Sequence, residues 1–211
     1  MFARLRQLGA GFKDSIERNF NNEPQQIMRA EQNIADIYEA VDIFTARRNQ
    51  AGNHVGPAVD EVKLARAVTE LARSPLGGKE YEFLATPFAN LALANPEGKL
   101  SFIAAENALQ RVYTAETTQS AVLAWNRVMD TAIEHGKVDE ARKSLSRVTR
   151  IVDDYRRDGV ARHSLTQTFN GNKSMTISDY VSQSVKSKKA VIDGLAYNHL
   201  RQSASGMGRS V

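Results

Sequence analysis

The stretch from residue 121 to residue 155, AVLAWNRVMDTAIEHGKVDEARKSLSRVTRIVDDY, decides the fold class. Apolar residues recur there at steps of three and four on both sides of Gly136, which places them on one face of an α-helix. Glycine ends a helix readily because it adopts left-handed backbone. The stretch therefore predicts two long amphipathic helices joined by a tight turn, an antiparallel αα-hairpin. The two apolar series are Val122, Trp125, Met129 and Ala132, then Val138, Ala141, Leu145, Val148, Val152 and Tyr155.

The rest of the chain extends this pattern. From Glu23 to Gln50 the apolar positions again alternate steps of three and four, a heptad seam that predicts one long helix. Shorter periodic segments follow, separated by proline and glycine. The sequence predicts an all-α fold, a helical bundle of about seven or eight helices. We expect a single helical domain over residues 1–200 and a flexible tail over residues 201–211.

The periodicity changes once, between residues 164 and 177. Leu165, Gln167 and Phe169 alternate with threonines, Asn170-Gly171 follows, and alternation then resumes. Asn-Gly favours the type I′ turn of a two-residue β-hairpin, since both central residues need positive φ. A lone two-stranded hairpin is marginal unless it packs on something. The segment is therefore either a short β-hairpin with Asn170 and Gly171 at its tip or an irregular loop.

Charge is distributed unevenly along the chain. The net charge is +4, but residues 1–136 contain 14 Lys and Arg against 17 Asp and Glu, whereas residues 137–211 contain 14 against 7. An N-terminal acidic part, 1–136, is thus followed by a C-terminal basic part, 137–200. This asymmetry indicates that the basic part contacts an acidic partner, which is nucleic acid, an anionic membrane or an acidic protein surface. The acidic part of a neighbouring copy is another acidic partner that the basic part could contact.

The basic part concentrates its charge on two helices. The candidate contact residues for an acidic partner or nucleic acid are Arg142, Lys143, Arg147, Arg150, Lys186, Lys188 and Lys189. On a helical wheel the first four lie opposite the apolar seam, which predicts a solvated outer face. Acids four residues from Lys143, Arg150 and Arg157 are expected to neutralise part of the row, leaving Arg147 and the flanking Arg142 unpaired. Reversing the charge of Arg147 and Arg150 is expected to leave folding nearly unchanged. Lys188 occupies a position where the seam expects an apolar residue.

Composition and motifs argue against catalysis. Cysteine is absent, which excludes disulfides, thiolate ligands and cysteine nucleophiles, and the four histidines lack HExxH or ExxH spacing. No Walker A, GxGxxG, GxSxG or SxxK motif is complete. Carboxylates along the first long helix, at Glu31, Asp36, Glu39 and Asp42, are expected to form a solvated face. We therefore expect no enzyme, no catalytic site, no cofactor and no metal.

The sequence also bears on location. No apolar run approaches the roughly 18–20 residues of a membrane span, and the first residues lack the apolar core and cleavage site of a secretory signal peptide. The expected location is the cytoplasm or the interior of a macromolecular assembly. Residues 2–20 carry an apolar face and early basic residues; we favour a first helix docked on its own bundle over a membrane-surface helix or targeting presequence.

Three functional hypotheses follow. The first is a non-enzymatic structural or assembly protein that acts through protein–protein contacts or self-association, for example a subunit of a virion or a secretion-type assembly. The second is a nucleic-acid-binding protein that uses the basic C-terminal third, although no RRM, zinc-finger, bZIP or helix-turn-helix pattern accompanies it. The third is a secreted or regulatory effector that binds a single host protein.

Overall fold

The computed structural model describes residues 24–49, 57–73, 83–157, 166–169 and 173–207. Within these ranges the chain forms seven helices and a two-stranded antiparallel sheet, which confirms the all-α class. The helices are α1 (Pro24–Asn49), α2 (Glu61–Arg73), α3 (Ala85–Ala94), α4 (Ser101–Gln110), α5 (Ala115–Glu134), α6 (Val138–Arg157) and α7 (Ile177–Met207). The strands are β1 (Thr166–Phe169) and β2 (Lys173–Thr176).

The predicted αα-hairpin is present as α5 and α6. Thr114 caps α5, accepting a hydrogen bond from the backbone N–H of Thr117, whose hydroxyl in turn accepts from the Thr114 N–H. Gly136 lies between the helices at φ +72°, a backbone conformation that favours glycine. The buried Trp125 Nε1 donates to Ser144 Oγ at 3.0 Å, which joins the two helices side by side. The predicted seam is buried on both helices, apart from the half-buried Val138.

The core is organised around α3. This helix is buried around most of its circumference and packs against α1, α4 and α5, so a short, almost wholly apolar segment becomes the centre of the bundle. Pro87 lies in the first turn of α3, where a missing N–H removes no helical hydrogen bond. The turn before α4 is tight, with the Gly98 N–H donating to the Asn95 carbonyl at 3.1 Å.

Helices α1 and α2 form a pair beside this centre. Ala30, Ile34 and Ile37 of the α1 seam are buried, as the heptad pattern predicts. The buried guanidinium of Arg111, just after α4, donates to the carbonyl oxygens of Leu71 and Ala72 at 3.2 and 3.3 Å. Because these carbonyls are left unpaired at the end of α2, the arginine satisfies them and ties the pair to the centre.

The C-terminal region consists of the β-hairpin and α7. β1 and β2 pair with Thr166 opposite Thr176 and Phe169 opposite Lys173, so of the two alternatives the hairpin is the one formed. Thr176 Oγ1 accepts from the Asp179 N–H at 3.1 Å and caps α7. The helical domain is predicted to end at residue 200, but α7 continues to Met207, so residues 201–207 of the expected tail are helical. Asn170, Gly171, the N-terminal apolar segment and residues 208–211 lie outside the described residues.

Candidate functional site

The seven candidate cations lie on two helices that pack against each other. Four of them belong to α6 and three to α7. Near the end of α6, Arg156 Nη2 donates to Ser182 Oγ on the second turn of α7 at 3.0 Å. The fold therefore brings both halves of the predicted site into one region, although more than thirty residues separate them in the sequence.

Arg147 is engaged inside the molecule. Its Nε and Nη2 donate to the two carboxylate oxygens of Glu106 on α4, at 2.6 and 2.8 Å. The Glu106 side chain is only 12% exposed, and its hydrogen bonds raise the pKa of Arg147 above the ordinary value. The prediction that Arg147 lacks a partner is therefore wrong, because the acid comes from a helix 41 residues away. Charge reversal at this position would place two carboxylates in contact.

Lys188 is also used within the fold. Its Nζ donates to Asp130 Oδ1 on α5 at 2.5 Å, and the lysine side chain is 12% exposed. One turn earlier, Ser184 Oγ donates to Asn126 Oδ1 at 2.7 Å. Lys188 thus occupies a seam position because an acid on the neighbouring helix meets its ammonium group.

The pairs along α6 differ from those predicted. Arg142 pairs with Asp139 at 2.9 Å, Arg156 pairs with Asp153 at 3.7 Å, and Arg157 pairs with Asp154, all at a spacing of three residues. The four-residue pairs expected for Lys143, Arg150 and Arg157 are not formed among the described residues. Arg142 consequently has a partner, contrary to prediction, while Lys143 and Arg150 have none there.

Four candidates remain exposed without an ion pair to any described residue: Lys143, Arg150, Lys186 and Lys189. We call these four the outer basic surface. Lys143 and Arg150 are two turns apart and share one face of α6. Lys186 and Lys189 share one side of α7 with Tyr197, eleven residues after Lys186, and with the acids Asp179 and Asp193. Three of the seven predicted contacts are thus structural, and the other four are free to meet a partner.

The distal part of α7 is a second unusual surface. The Ser184–Asn126 and Lys188–Asp130 bonds both advance by four residues, so α5 and α7 run parallel there. In this register the last residue of α5, Glu134, is level with Ile192. Ile192 is 2% exposed, but Leu195 is 39% exposed and Tyr197 64%. Burial of α7 against α5 therefore ends where α5 ends, and α7 continues for about 22 Å beyond Ile192 at 1.5 Å per residue.

An acidic cleft that the sequence did not indicate lies between α1 and α2. Its walls include Asp36, Glu39, Asp60 and Lys63, and its volume is about 250 Å³. Lys63 Nζ lies 3.0 Å from Asp36 Oδ1 and 3.1 Å from Glu39 Oε2, and these bonds raise the pKa of Lys63. Asp36 is 1% exposed. The prediction of a solvated carboxylate face is wrong at Asp36, because α2 covers that side of α1.

Two further clefts border the turn at residues 95–101. One is mainly apolar, about 140 Å³, and lies between α1, α2 and α3. The other, about 330 Å³, has a lining of mixed polarity that includes His135, Lys137, Glu97 and Glu140. Among the described residues these four side chains form no hydrogen bond or ion pair with one another, so the cleft contains no preassembled acid–base pair.

In the described ranges, no three His, Asp or Glu side chains come together in a way that could hold a metal ion. None of the helices found there is long and apolar enough to cross a membrane. Comparison with protein-family models, with curated proteins and with solved structures found no match.

Proposed function

We propose that this chain is a non-enzymatic structural or assembly protein that acts through protein–protein contacts, of the kind made by subunits of virions or secretion-type assemblies. The contact element is the distal part of α7 together with the outer basic surface beside it. The observation that carries the proposal is the exposure of Leu195 and Tyr197 on a helix that extends beyond the end of α5.

Leu195 supports a protein partner by its position on α7. It lies on the same helical stripe as the buried Ile177, Val181 and Ile192, so the core-facing pattern continues after α5 has ended. Val191, one turn before Leu195, is also exposed. Apolar and aromatic groups at the centre of an interface, with charged groups at its rim, are typical of protein–protein contacts.

Nucleic acid remains a second candidate, favoured by the four cations of the outer basic surface. A phosphate-based contact would weaken by several orders of magnitude between about 0.05 M and about 0.5 M salt, since each neutralised phosphate releases counterions. Engagement of Arg142, Arg147 and Lys188 within the fold reduces the charge available for it. Binding of homogeneous DNA or RNA that stays strong at the higher salt would exclude this alternative.

The proposed function is tested by crosslinking from defined positions in cells that produce the protein. Replacing Tyr197 with photoreactive p-benzoylphenylalanine keeps an aromatic side chain at an exposed position. Irradiation is expected to give adducts heavier than the chain that resist nuclease and disappear with protease. The matched control is the same replacement at Leu123 on α5, which is 60% exposed but flanked by packed helix.

The outcomes separate the candidates. Protein adducts from position 197 that are absent from position 123 support the proposal. Nuclease-sensitive adducts would replace it with the nucleic-acid alternative. If position 197 gives only monomer in cells where the chain is folded and abundant, distal α7 is not a contact surface.

A further inference from the structure

The described walls of the acidic cleft between α1 and α2 carry a net negative charge. Three carboxylates, Asp36, Glu39 and Asp60, line it, and among the described residues they face one ammonium group, that of Lys63. Asp36 Oδ1 accepts from Gln32 Nε2 at 2.6 Å and from Lys63, but Asp36 Oδ2 has no hydrogen-bond partner among the described residues although it is fully buried. A buried carboxylate oxygen without a donor is costly. The cleft is therefore suited to a further positively charged donor.

Asp60 holds the rim of this cleft in place. Its Oδ1 accepts from the backbone N–H groups of Val62 and Lys63 at 3.1 and 3.0 Å, so it caps α2. Glu39, on the α1 side, is half-exposed at the opening. The arrangement is a small negative recess, buried at Asp36 and open at Glu39, with a volume that accommodates a lysine side chain.

The same chain carries a complementary surface elsewhere. The outer basic surface belongs to α6 and α7, whereas the cleft belongs to α1 and α2; the two helix pairs are connected through α3, α4 and α5. Among the described residues, no ion pair joins the outer basic surface to the cleft within one copy. Two copies can satisfy both, since the surfaces are of opposite sign and different location.

We infer that the α7 lysines of one copy, Lys186 and Lys189, dock at the acidic cleft of a second copy. This inference rests on the proposed function and names its partner. Because the two contacting surfaces differ, the interface is heterologous, so each copy has a free cleft at one side and a free lysine surface at the other. Such head-to-tail contacts continue into a chain or close into a ring.

Self-association of the full chain tests the inference, measured by sedimentation velocity over a range of protein concentration. At about 0.05 M salt the wild type is expected to form species larger than a dimer, and these dissociate at about 0.5 M salt because the contact is electrostatic. A wild type that stays monomeric at low salt and high concentration would overturn the inference.

Two variants with altered charge sharpen the test. Glu39→Lys cancels the net negative charge of the cleft at its exposed edge and spares the Asp60 cap, and Lys186→Glu with Lys189→Glu reverses the lysine surface. Each variant alone is expected to self-associate at least tenfold more weakly than the wild type. Mixed in equal amounts, they are expected to form dimers only, because one retains a working lysine surface and the other a working cleft.

Matched controls are Glu134→Lys for the cleft, and Arg127→Glu with Lys137→Glu for the lysine surface, all exposed positions on or just after α5. Loss of association in these controls, or equal association of the two test variants with the wild type, overturns the inference. Thermal unfolding confirms that each variant is folded.

The crosslinking experiment distinguishes failure of this inference from failure of the proposed function. Adducts of Tyr197 with a different protein, together with charge-independent or absent self-association, would leave the proposed function intact and remove the second copy as the partner. Adducts of twice the chain mass that disappear in the Glu39→Lys variant support both.

Discussion

The C-terminal region contains three pairs of similar residues in which one member is buried or ion-paired and the other is exposed or unpaired among the described residues. Ile192 is buried and Leu195 is exposed on the same stripe of α7; Arg147 is paired and Arg150 is not on α6; Lys188 is covered and the adjacent Lys189 is open. Residue type is similar within each pair, but the side-chain directions differ by about 60° in the first two pairs and by about 100° between Lys188 and Lys189. Burial depends on whether a neighbouring helix covers that side of the helix at that point, so the contact surface depends on where α4 and α5 lie and end.

The largest effect is expected from introducing a carboxylate on the α7 stripe. Ile192→Asp buries an unpaired charge and removes apolar contacts, so it should lower the free energy of unfolding by about 3–5 kcal/mol. Leu195→Asp should cost less than about 1 kcal/mol, since the new carboxylate stays hydrated. Urea unfolding followed by circular dichroism measures both. Equal losses at the two positions would mean that distal α7 is covered in the isolated chain.

Charge reversal on α6 should discriminate Arg147 from Arg150. Arg147→Glu brings a second carboxylate against the largely buried Glu106 and is expected to cost about 1–2 kcal/mol in unfolding free energy, whereas Arg150→Glu should change it by less than about 0.5 kcal/mol. Adding Glu106→Arg to Arg147→Glu should recover most of the loss. If the double variant is no more stable than the single one, the ion pair is not the cause.

The contrast also marks how far the sequence predicts the fold. Helices such as α1, α5 and α6 follow from periods of three and four residues, and the hairpin from Asn170-Gly171, because these signals are local. The Arg147–Glu106 pair spans 41 residues and depends on how α6 crosses α4, which no local pattern encodes. The α6 seam correctly predicted which side faces outward, but pairing by sequence spacing misassigned the partners there.

The acidic cleft was missed for a related reason. Asp36 lies beside the seam residues Ile34 and Ile37, and only the packing of α2 on α1 buries it and brings Lys63 to it. A tail is predicted from residue 201 because the segment there is rich in serine and glycine, which lowers helix propensity without forbidding a helix. In the structure α7 continues to Met207.

Replacing Lys188 and replacing its partner Asp130 should change the free energy of unfolding by different amounts. Lys188→Met replaces a long covered side chain with an apolar one of similar length and leaves the half-exposed Asp130 to water, so unfolding free energy should change by less than about 0.5 kcal/mol. Asp130→Ala leaves the covered ammonium group without an acceptor and should cost about 1 kcal/mol. The control is Lys189→Met, with no measurable effect on stability. Equal costs for the two partners would argue against this asymmetry.

The smallest effect concerns pH and extends the contrast to the acidic part of the chain. Hydrogen bonds from Asn33 and Arg29 lower the pKa of Glu70 below its ordinary value of 4.5. A carboxyl whose pKa is lower in the folded state stabilises the fold above its unfolded pKa, and that stabilisation is lost as pH falls through the folded pKa. Glu70→Gln should therefore remove a few tenths of a kcal/mol of stability at pH 7 and flatten the decline of the unfolding free energy below about pH 4.5.

Glu61→Gln, at an exposed carboxylate 4.0 Å from Lys99, is the control. Parallel pH profiles for wild type and Glu70→Gln would show that the Arg29–Glu70–Asn33 contacts do not favour the charged carboxylate.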